Sequence, residues 1–168
     1  VTTYLLVDGY NLINQCPELL ALNNLEHARD RLVSILSNYQ ALTGWEVTLV
    51  FDAHLVKGGI EEDLVLEGIR VVYTKEEETA DMFIEKTVSF LVKTQNEVYV
   101  GTSDYAEQRM ILGRGAYRIS SRELIALIKE AVEKNRKHYR TPTSRRHSID
   151  LQINEETRRQ MEKWRRKR

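Results

Sequence analysis

Four aspartates stand at or just past β-rich runs, and their placement suggests a chemistry. Asp8 ends the apolar run 3–8 (TYLLVD), and Asp52 ends 46–52 (EVTLVFD). Asp81 falls in the first turn of a helix expected to follow 69–73 (IRVVY), and Asp104 stands three residues beyond 97–101 (EVYVG). In open parallel sheets ligands bind beyond the carboxyl ends of the strands, where the loops diverge and leave a crevice. Four separate segments could thus deliver carboxylates to one rim. Like charges brought together raise one another's pKa values, so such a cluster calls for a compensating cation. Oxygen-only ligands select Mg²⁺ or Mn²⁺ over zinc, and His27, His54, His138 and His147 show no ligand spacing. One or two such ions activate water, neutralise phosphate and stabilise a leaving oxygen, which is hydrolytic phosphate chemistry.

Each acid also has a plainer explanation. Asp104 could cap a helix, with Glu107 completing a capping box, and Asp81 could be an acid favoured by the helix dipole. Asp52 could merely stop a strand. Asp8 is harder to explain away. It follows a buried strand directly and leads into Gly9-Tyr10-Asn11, where Gly9 permits a tight turn and Asn11 offers a neutral oxygen and an amide donor beside the carboxylate. In the run Glu76-Glu77-Glu78, a solvated acidic loop competes with metal ligation.

The elements that must position these acids alternate. The run 3–8 is continuously apolar, as in a strand buried on both faces of a parallel sheet. Leu25, Ala28, Leu32, Ile35, Leu36, Tyr39 and Leu42 recur at helical spacing, with Asn23 and Glu26 as a capping pair and Gly44 as terminator. Strands at 46–52 and 69–73 flank a loop carrying Lys57-Gly58-Gly59. A helix from about Thr79 buries Phe83, Ile84, Val88 and Leu91 ahead of the strand 97–101. A short helix from Asp104, a turn at Gly113-Arg114-Gly115, a short strand at 117–119 and a helix opened by a Ser120–Glu123 capping box complete the series. Such alternation predicts an α/β sandwich with a largely parallel sheet and right-handed crossovers.

At 168 residues, 42% hydrophobic and 30% charged, the chain suits one domain with an appendage. Where the apolar periodicity stops, around Thr141 to His147, the packed body is expected to end, giving a domain over 1–140 and a basic linker and helix over 141–168. Without a long apolar run, and with Cys16 as sole cysteine, the expectation is a soluble cytoplasmic protein with no membrane partner. The net charge of zero conceals an asymmetry. Residues 1–133 hold 21 acids against 12 bases, and residues 134–168 hold 13 bases against 4 acids. One end can meet a polyanion while the other holds cations.

The strings Asp8-Gly9-Tyr10-Asn11 after an apolar strand, Phe51-Asp52, Glu78-Thr79-Ala80-Asp81, Thr102-Ser103-Asp104 and Arg118-Ile119-Ser120, in that order after successive strands, resemble the YacP-type branch of the NYN-domain ribonucleases, relatives of PIN domains. The resemblance runs over about residues 3–140. It implies a three-layer α/β/α PIN-like fold whose four main strands, numbered along the chain, are ordered 3-2-1-4, with a short fifth strand. That order sets Asp8 beside Asp104 at the topological switch point. By the same resemblance Asp8, Asn11, Asp81 and Asp104 are the catalytic set. Asp8, Asp81 and Asp104 would hold one or two Mg²⁺ or Mn²⁺ ions, Asp52 would be an additional or outer ligand, Glu78 a further one, and Asn11 would orient water or phosphate. The implied reaction is endonucleolytic hydrolysis of single-stranded RNA, with mRNA and the ribosome as associated partners.

Arg109, Arg114, Arg118 and Arg122 surround the segment after Asp104, where a phosphate backbone would approach, and Arg114, Arg118 and Arg122 are the expected RNA contacts there. Tyr10 and Tyr105 either stack on bases or belong to the core. From Asn154 the chain reads as a helix with Arg/Lys in its last turn, offering Arg165 and Arg166 to phosphates or to solvent. A non-catalytic RNA- or ribosome-binding adaptor is the alternative from the binding class. A phosphatase with an Asp-x-Asp nucleophile is disfavoured, because position ten is Tyr.

Overall fold

Leu5 and Val7 face one way from the first strand and Leu6 the other, and all three are fully buried, so this strand must be covered on both sides. The computed structural model, which describes residues 1–55, 60–104, 109, 111 and 113–140, shows how. Six strands, β1 (Thr3–Asp8), β2 (Glu46–Phe51), β3 (Glu62–Leu66), β4 (Ile69–Tyr73), β5 (Glu97–Gly101) and β6 (Tyr117–Ile119), form one sheet in the order β3-β4-β2-β1-β5-β6. All pairings are parallel except β3 with β4. Among the described residues these helices accompany them: α1 (Gly9–Gln15), α2 (Pro17–Leu20), α3 (Leu25–Thr43), α4 (Ala80–Lys93) and α5 (Ser121–Arg140).

One core joins Leu5, Val7, Leu49, Phe51 and Val71 of the sheet to Leu12 and Ile13 of α1, Leu32 and Leu36 of α3, and Leu124 and Ile128 of α5. The opposite face joins Leu6, Val50, Val98 and Val100 to Ala80, Ile84 and Val88 of α4 and to Ile111. This is the three-layer arrangement, and without β3 and β6 the order β4-β2-β1-β5 is the expected 3-2-1-4. The strand expected at 117–119 is β6. By spatial clustering the chain divides into two units, Val1–Val132 and Glu133–Arg168. The sheet lies in the first, and the end of α5 is what the described residues show of the second.

The expected loop between 52 and 69 instead contains β3, in a hairpin with β4 through Glu67 (φ 49°) and Gly68 (φ 85°). Two successive positive φ values define the tight turn that matches the strands' twist, but Asn-Gly or Asp-Gly is its usual signature. Glu-Gly after a strand that begins Glu-Asp carries a weaker signal. Side chains of α3 hold the turn, since Ser37 Oγ donates to the Glu67 carbonyl and Gln40 Nε2 to the Gly68 carbonyl (2.8 Å).

Two local expectations shift. The cap of α3 is Asn24, whose Oδ1 accepts from His27 N–H (3.0 Å), while Asn23 adopts φ 51° just before it. Gly44 does terminate the helix, in the left-handed conformation. Gly9 does not turn the chain by a positive φ; it opens α1. Glycine is needed there because a Cβ would fall well inside van der Waals contact with the buried Phe51 ring. That ring is held by Tyr10 (centroids 5.0 Å) and Tyr73 (5.5 Å, stacked) and has nowhere to retreat. Gly9→Ala should therefore destabilise the fold by about 1–3 kcal/mol through overpacking, read as a lower urea midpoint at unchanged m-value.

Candidate active site

β1 lies between β2 and β5, with Asp8 in register with Val50 and Val7 with Gly101. The chain leaves β1 for the α1–α3 face and reaches β5 from α4 on the other face, so the crossovers diverge between β1 and β5 and a crevice opens there. Asp8 is at its base. The carboxylate also caps α1, with Oδ1 accepting from Asn11 N–H (3.2 Å).

Burial drives the Asp8 carboxyl up from 3.8 to about 6; Asp81, Asp104 and Asp52 push it the same way, and the Asn11 N–H pulls it down. Four aspartates from four segments are thus electrostatically coupled around Asp8. Asp81 sits half-buried in the first turn of α4 behind the Thr79 cap, whose Oγ1 accepts from Met82 N–H (3.2 Å). Asp104 is exposed, with its N–H donating to Oγ1 of the buried Thr102 (3.1 Å). Asp52 accepts from His54 N–H (3.0 Å) and holds the turn after β2, the structural role its sequence context also allowed.

Asn11 connects the start of α1 to two distant segments. Its Oδ1 accepts from Ser103 N–H (2.9 Å) and Ser121 Oγ–H (2.6 Å), and Ser103 Oγ accepts from Ser121 N–H (3.1 Å). A backbone N–H can only donate, so the amide orientation is fixed and the neutral oxygen is occupied. Asn11 therefore locks three segments: α1 behind Asp8, the segment carrying Asp104, and the start of α5. Ser121 is fully buried and was not singled out in the sequence, where it reads as an ordinary first-turn serine. The neighbouring capping box forms as expected, with Ser120 N–H on Glu123 Oε2 (2.8 Å) and Glu123 N–H on Ser120 Oγ (3.2 Å).

The other expected residues divide. Glu78 pairs with Lys86 (3.0 Å), and its side chain is 16% exposed. Arg114 is bound to Glu85 and Ser89 of α4, which occupies donors it would offer to phosphate. Arg109, Arg118 and Arg122 are exposed, and Arg122 directly follows the Ser121 lock. Tyr10 is a core residue, 8% exposed. The Lys57-Gly58-Gly59 loop, Tyr105, Glu107 and the helix from Asn154 with Arg165 and Arg166 lie outside the described residues.

Among the described residues no three His, Cys, Asp or Glu side chains group closely enough to hold a metal ion, so the four aspartates do not form a closed protein cage. Their chemistry still fits Mg²⁺. The donors are all hard oxygens, and this ion keeps several waters and takes only one or two carboxylates, completing its shell with substrate phosphate. The carboxylates of Asp81, Asp104 and Asp52 all act on Asp8 in the same direction, a repulsion that positive charge would offset.

The chain matches the model of the YacP-like NYN domain family over residues 5–166, including the basic C-terminal segment that the sequence strings did not reach. It is 43% identical over 164 residues to YacP of Bacillus subtilis (strain 168), covering 96% of both chains. It is also similar to a crystal structure of Rae1 (YacP) from Bacillus subtilis, at 40% identity and a TM-score of 0.69, covering 97% of this chain and 94% of that one. A tryptophan-to-leucine variant of the same protein matches at 40% identity and a TM-score of 0.71, covering 86% and 85%.

Two stability measurements test this geometry. An acid with a raised folded-state pKa binds its proton more tightly when folded, so its contribution is present below about pH 4 and lost as pH rises towards 6. Asp8→Asn keeps an acceptor for the α1 cap and removes the buried charge. It should raise stability at pH 7.5 by on the order of 2 kcal/mol and leave it unchanged near pH 3.5 in urea titrations. Added Mg²⁺ should raise the melting temperature of the parent protein at pH 7.5 more than that of the variant. Ser121→Ala leaves Asn11 with one donor in place of two and should cost about 1 kcal/mol in the same assay.

Proposed function

Since the chain belongs to the YacP-like NYN domain family, which has a nuclease-type fold, we propose that it is a metal-dependent endoribonuclease hydrolysing single-stranded RNA at the Asp8 centre. The observation that carries this reading is the desolvated Asp8 carboxyl, raised to about 6 and coupled to Asp81, Asp104 and Asp52 at the switch point of the sheet. A structural acid has no need of three neighbouring carboxylates, because their repulsion opposes folding.

Asp8, Asp81 and Asp104 would hold one or two Mg²⁺ or Mn²⁺ ions, with Asp52 contributing from the outer side. The bound ion supplies water activation and neutralisation of the phosphate. The chain's own groups set the geometry. The Asn11–Ser103–Ser121 lock fixes where Asp104 stands relative to Asp8, and the α1 cap fixes the Asp8 carboxylate. Arg118 and Arg122, both exposed, would meet the RNA backbone on the α5 side. mRNA is the substrate class the family resemblance suggests, with the ribosome as its setting and the cytoplasm as its compartment.

A non-catalytic RNA-binding adaptor is the second reading, favoured by the lack of three converging ligands among the described residues. The readings separate by incubating the full chain and its Asp8→Asn variant with a labelled single-stranded RNA and Mn²⁺. Internal cleavage that falls at least about 100-fold in the variant is the expected result. Equal cleavage by both proteins would exclude the Asp8 centre, and RNA binding without cleavage by either would establish the adaptor.

A further inference from the structure

Arg29 of α3 is half-buried, and among the described residues its hydrogen bond is from NH1 to the Tyr10 hydroxyl oxygen (3.2 Å). Among the described residues it forms no ion pair, although other arginines here, Arg70 and Arg114, are paired with carboxylates. A partly desolvated guanidinium on a neutral phenol retains most of its five N–H donors. The Tyr10 oxygen accepts from Arg29, so its own proton is left to donate. Tyr73 adds a second hydroxyl. Its phenol is pushed up by burial and pulled back first by Arg29, with Tyr10, Asp30 and Glu62 also acting on it. Both phenol rings are fixed by Phe51, at centroid distances of 5.0 and 5.5 Å, so the donors are held in place before any ligand arrives.

The position of this cluster relates it to the rim. Tyr73 ends β4 in register with Phe51, one residue before Asp52, and Tyr10 is two residues past Asp8. The donors therefore gather at the carboxyl ends of β4, β2 and β1. From β4 to β5, where Asp104 follows, is three strand spacings, roughly 14 Å. Arg29 and Tyr73 belong to α3 and β4, which carry none of the four aspartates, so the cluster is distinct from the acidic centre.

We infer that Arg29, with the hydroxyls of Tyr10 and Tyr73, is a subsite for a phosphodiester of the RNA strand at a distance from the bond that is cut. Three donors that no carboxylate of the described residues accepts from suit an anionic oxygen cluster. Asp30 and Glu62 nearby favour a singly charged phosphodiester over a doubly charged terminal phosphate. With Arg118 and Arg122 on the far side of Asp8, the strand would cross the rim from the β4 edge to α5. The inference rests on the nuclease reading, and binding measurements separate the two.

The test is fluorescence anisotropy of a labelled oligouridylate with the full chain in EDTA, where affinity is read apart from cleavage. Arg29→Gln should weaken binding about 5- to 10-fold at low salt and reduce the slope of log K against log salt by about 0.7, the share of one phosphate contact on a single strand. Arg29→Lys should keep the slope and lose part of the affinity, since one ammonium cannot span the phenol and the phosphate as a guanidinium does. Tyr73→Phe should weaken binding at unchanged slope, and it keeps the test available if Arg29→Gln unfolds. Unchanged affinity and slope in folded Arg29→Gln would overturn the subsite, even with Mn²⁺-dependent cleavage intact. So would inorganic phosphate raising the melting temperature through Arg29 while RNA binding ignores that residue, since the site would then serve free phosphate. Arg29-dependent binding with no cleavage by any variant would retain the subsite and remove the nuclease.

Discussion

A carboxylate at the end of a strand that is hydrogen-bonded on both sides and covered on both faces has little water to solvate it, and the rest of the site follows from that. β1 pairs with β2 and β5, and its inner residues Leu5, Leu6 and Val7 are fully buried. A charge placed directly after such a run is disfavoured by desolvation, and Asp81, Asp104 and Asp52 add to the penalty. One backbone N–H, from Asn11, opposes them. The fold thus holds a centre of negative potential that a hydrated divalent cation would relieve, in a crevice that the sheet topology opens.

Neutral hydrogen bonds help to keep that centre in shape. Asn11 Oδ1 receives two donors from segments far apart in sequence, and Ser121 N–H closes the triangle on Ser103. Neutral groups can position Asp104 without neutralising it, whereas a lysine or arginine at the same place would compete with a metal ion. The glycines serve the same close approach. Gly9 lets α1 lie against Phe51, and at Gly101 a Cβ would crowd Leu124 of α5, so the helices that bear Asn11 and Ser121 can approach the strand ends.

Along the rim the polar groups change character. At the β6 and α5 end stand the exposed Arg118 and Arg122; at the β4 end stand Arg29, Tyr10 and Tyr73. Between them lies the acidic centre. A polyanion laid across such a surface meets donors at its flanks and carboxylates at its middle, where only a cation can mediate contact. A domain that is net acidic overall can still present donors to a polyanion, because the local arrangement of groups decides recognition.

Much of the architecture was legible in the sequence because it depends on local pattern. Continuous apolar runs marked β1 and β2, helical spacing marked α3 and α4, and the Ser120–Glu123 box marked the start of α5 in the register the structure shows. The hairpin strand β3 was missed because it is an exposed edge whose Glu-Gly turn lacks the usual signature, and the cap of α3 fell one residue away from Asn23 because adjacent asparagines are equivalent until the backbone chooses. The positions of the four aspartates after their strands were also there to be read. What only the tertiary structure decided is how their neighbours are used. It turned the Asn11 oxygen inward to two serines, gave Arg114 to α4, buried Tyr10 and left Arg29 with a phenol for a partner. Those outcomes depend on pairings across as many as 110 positions of chain, and no periodicity within a segment encodes them.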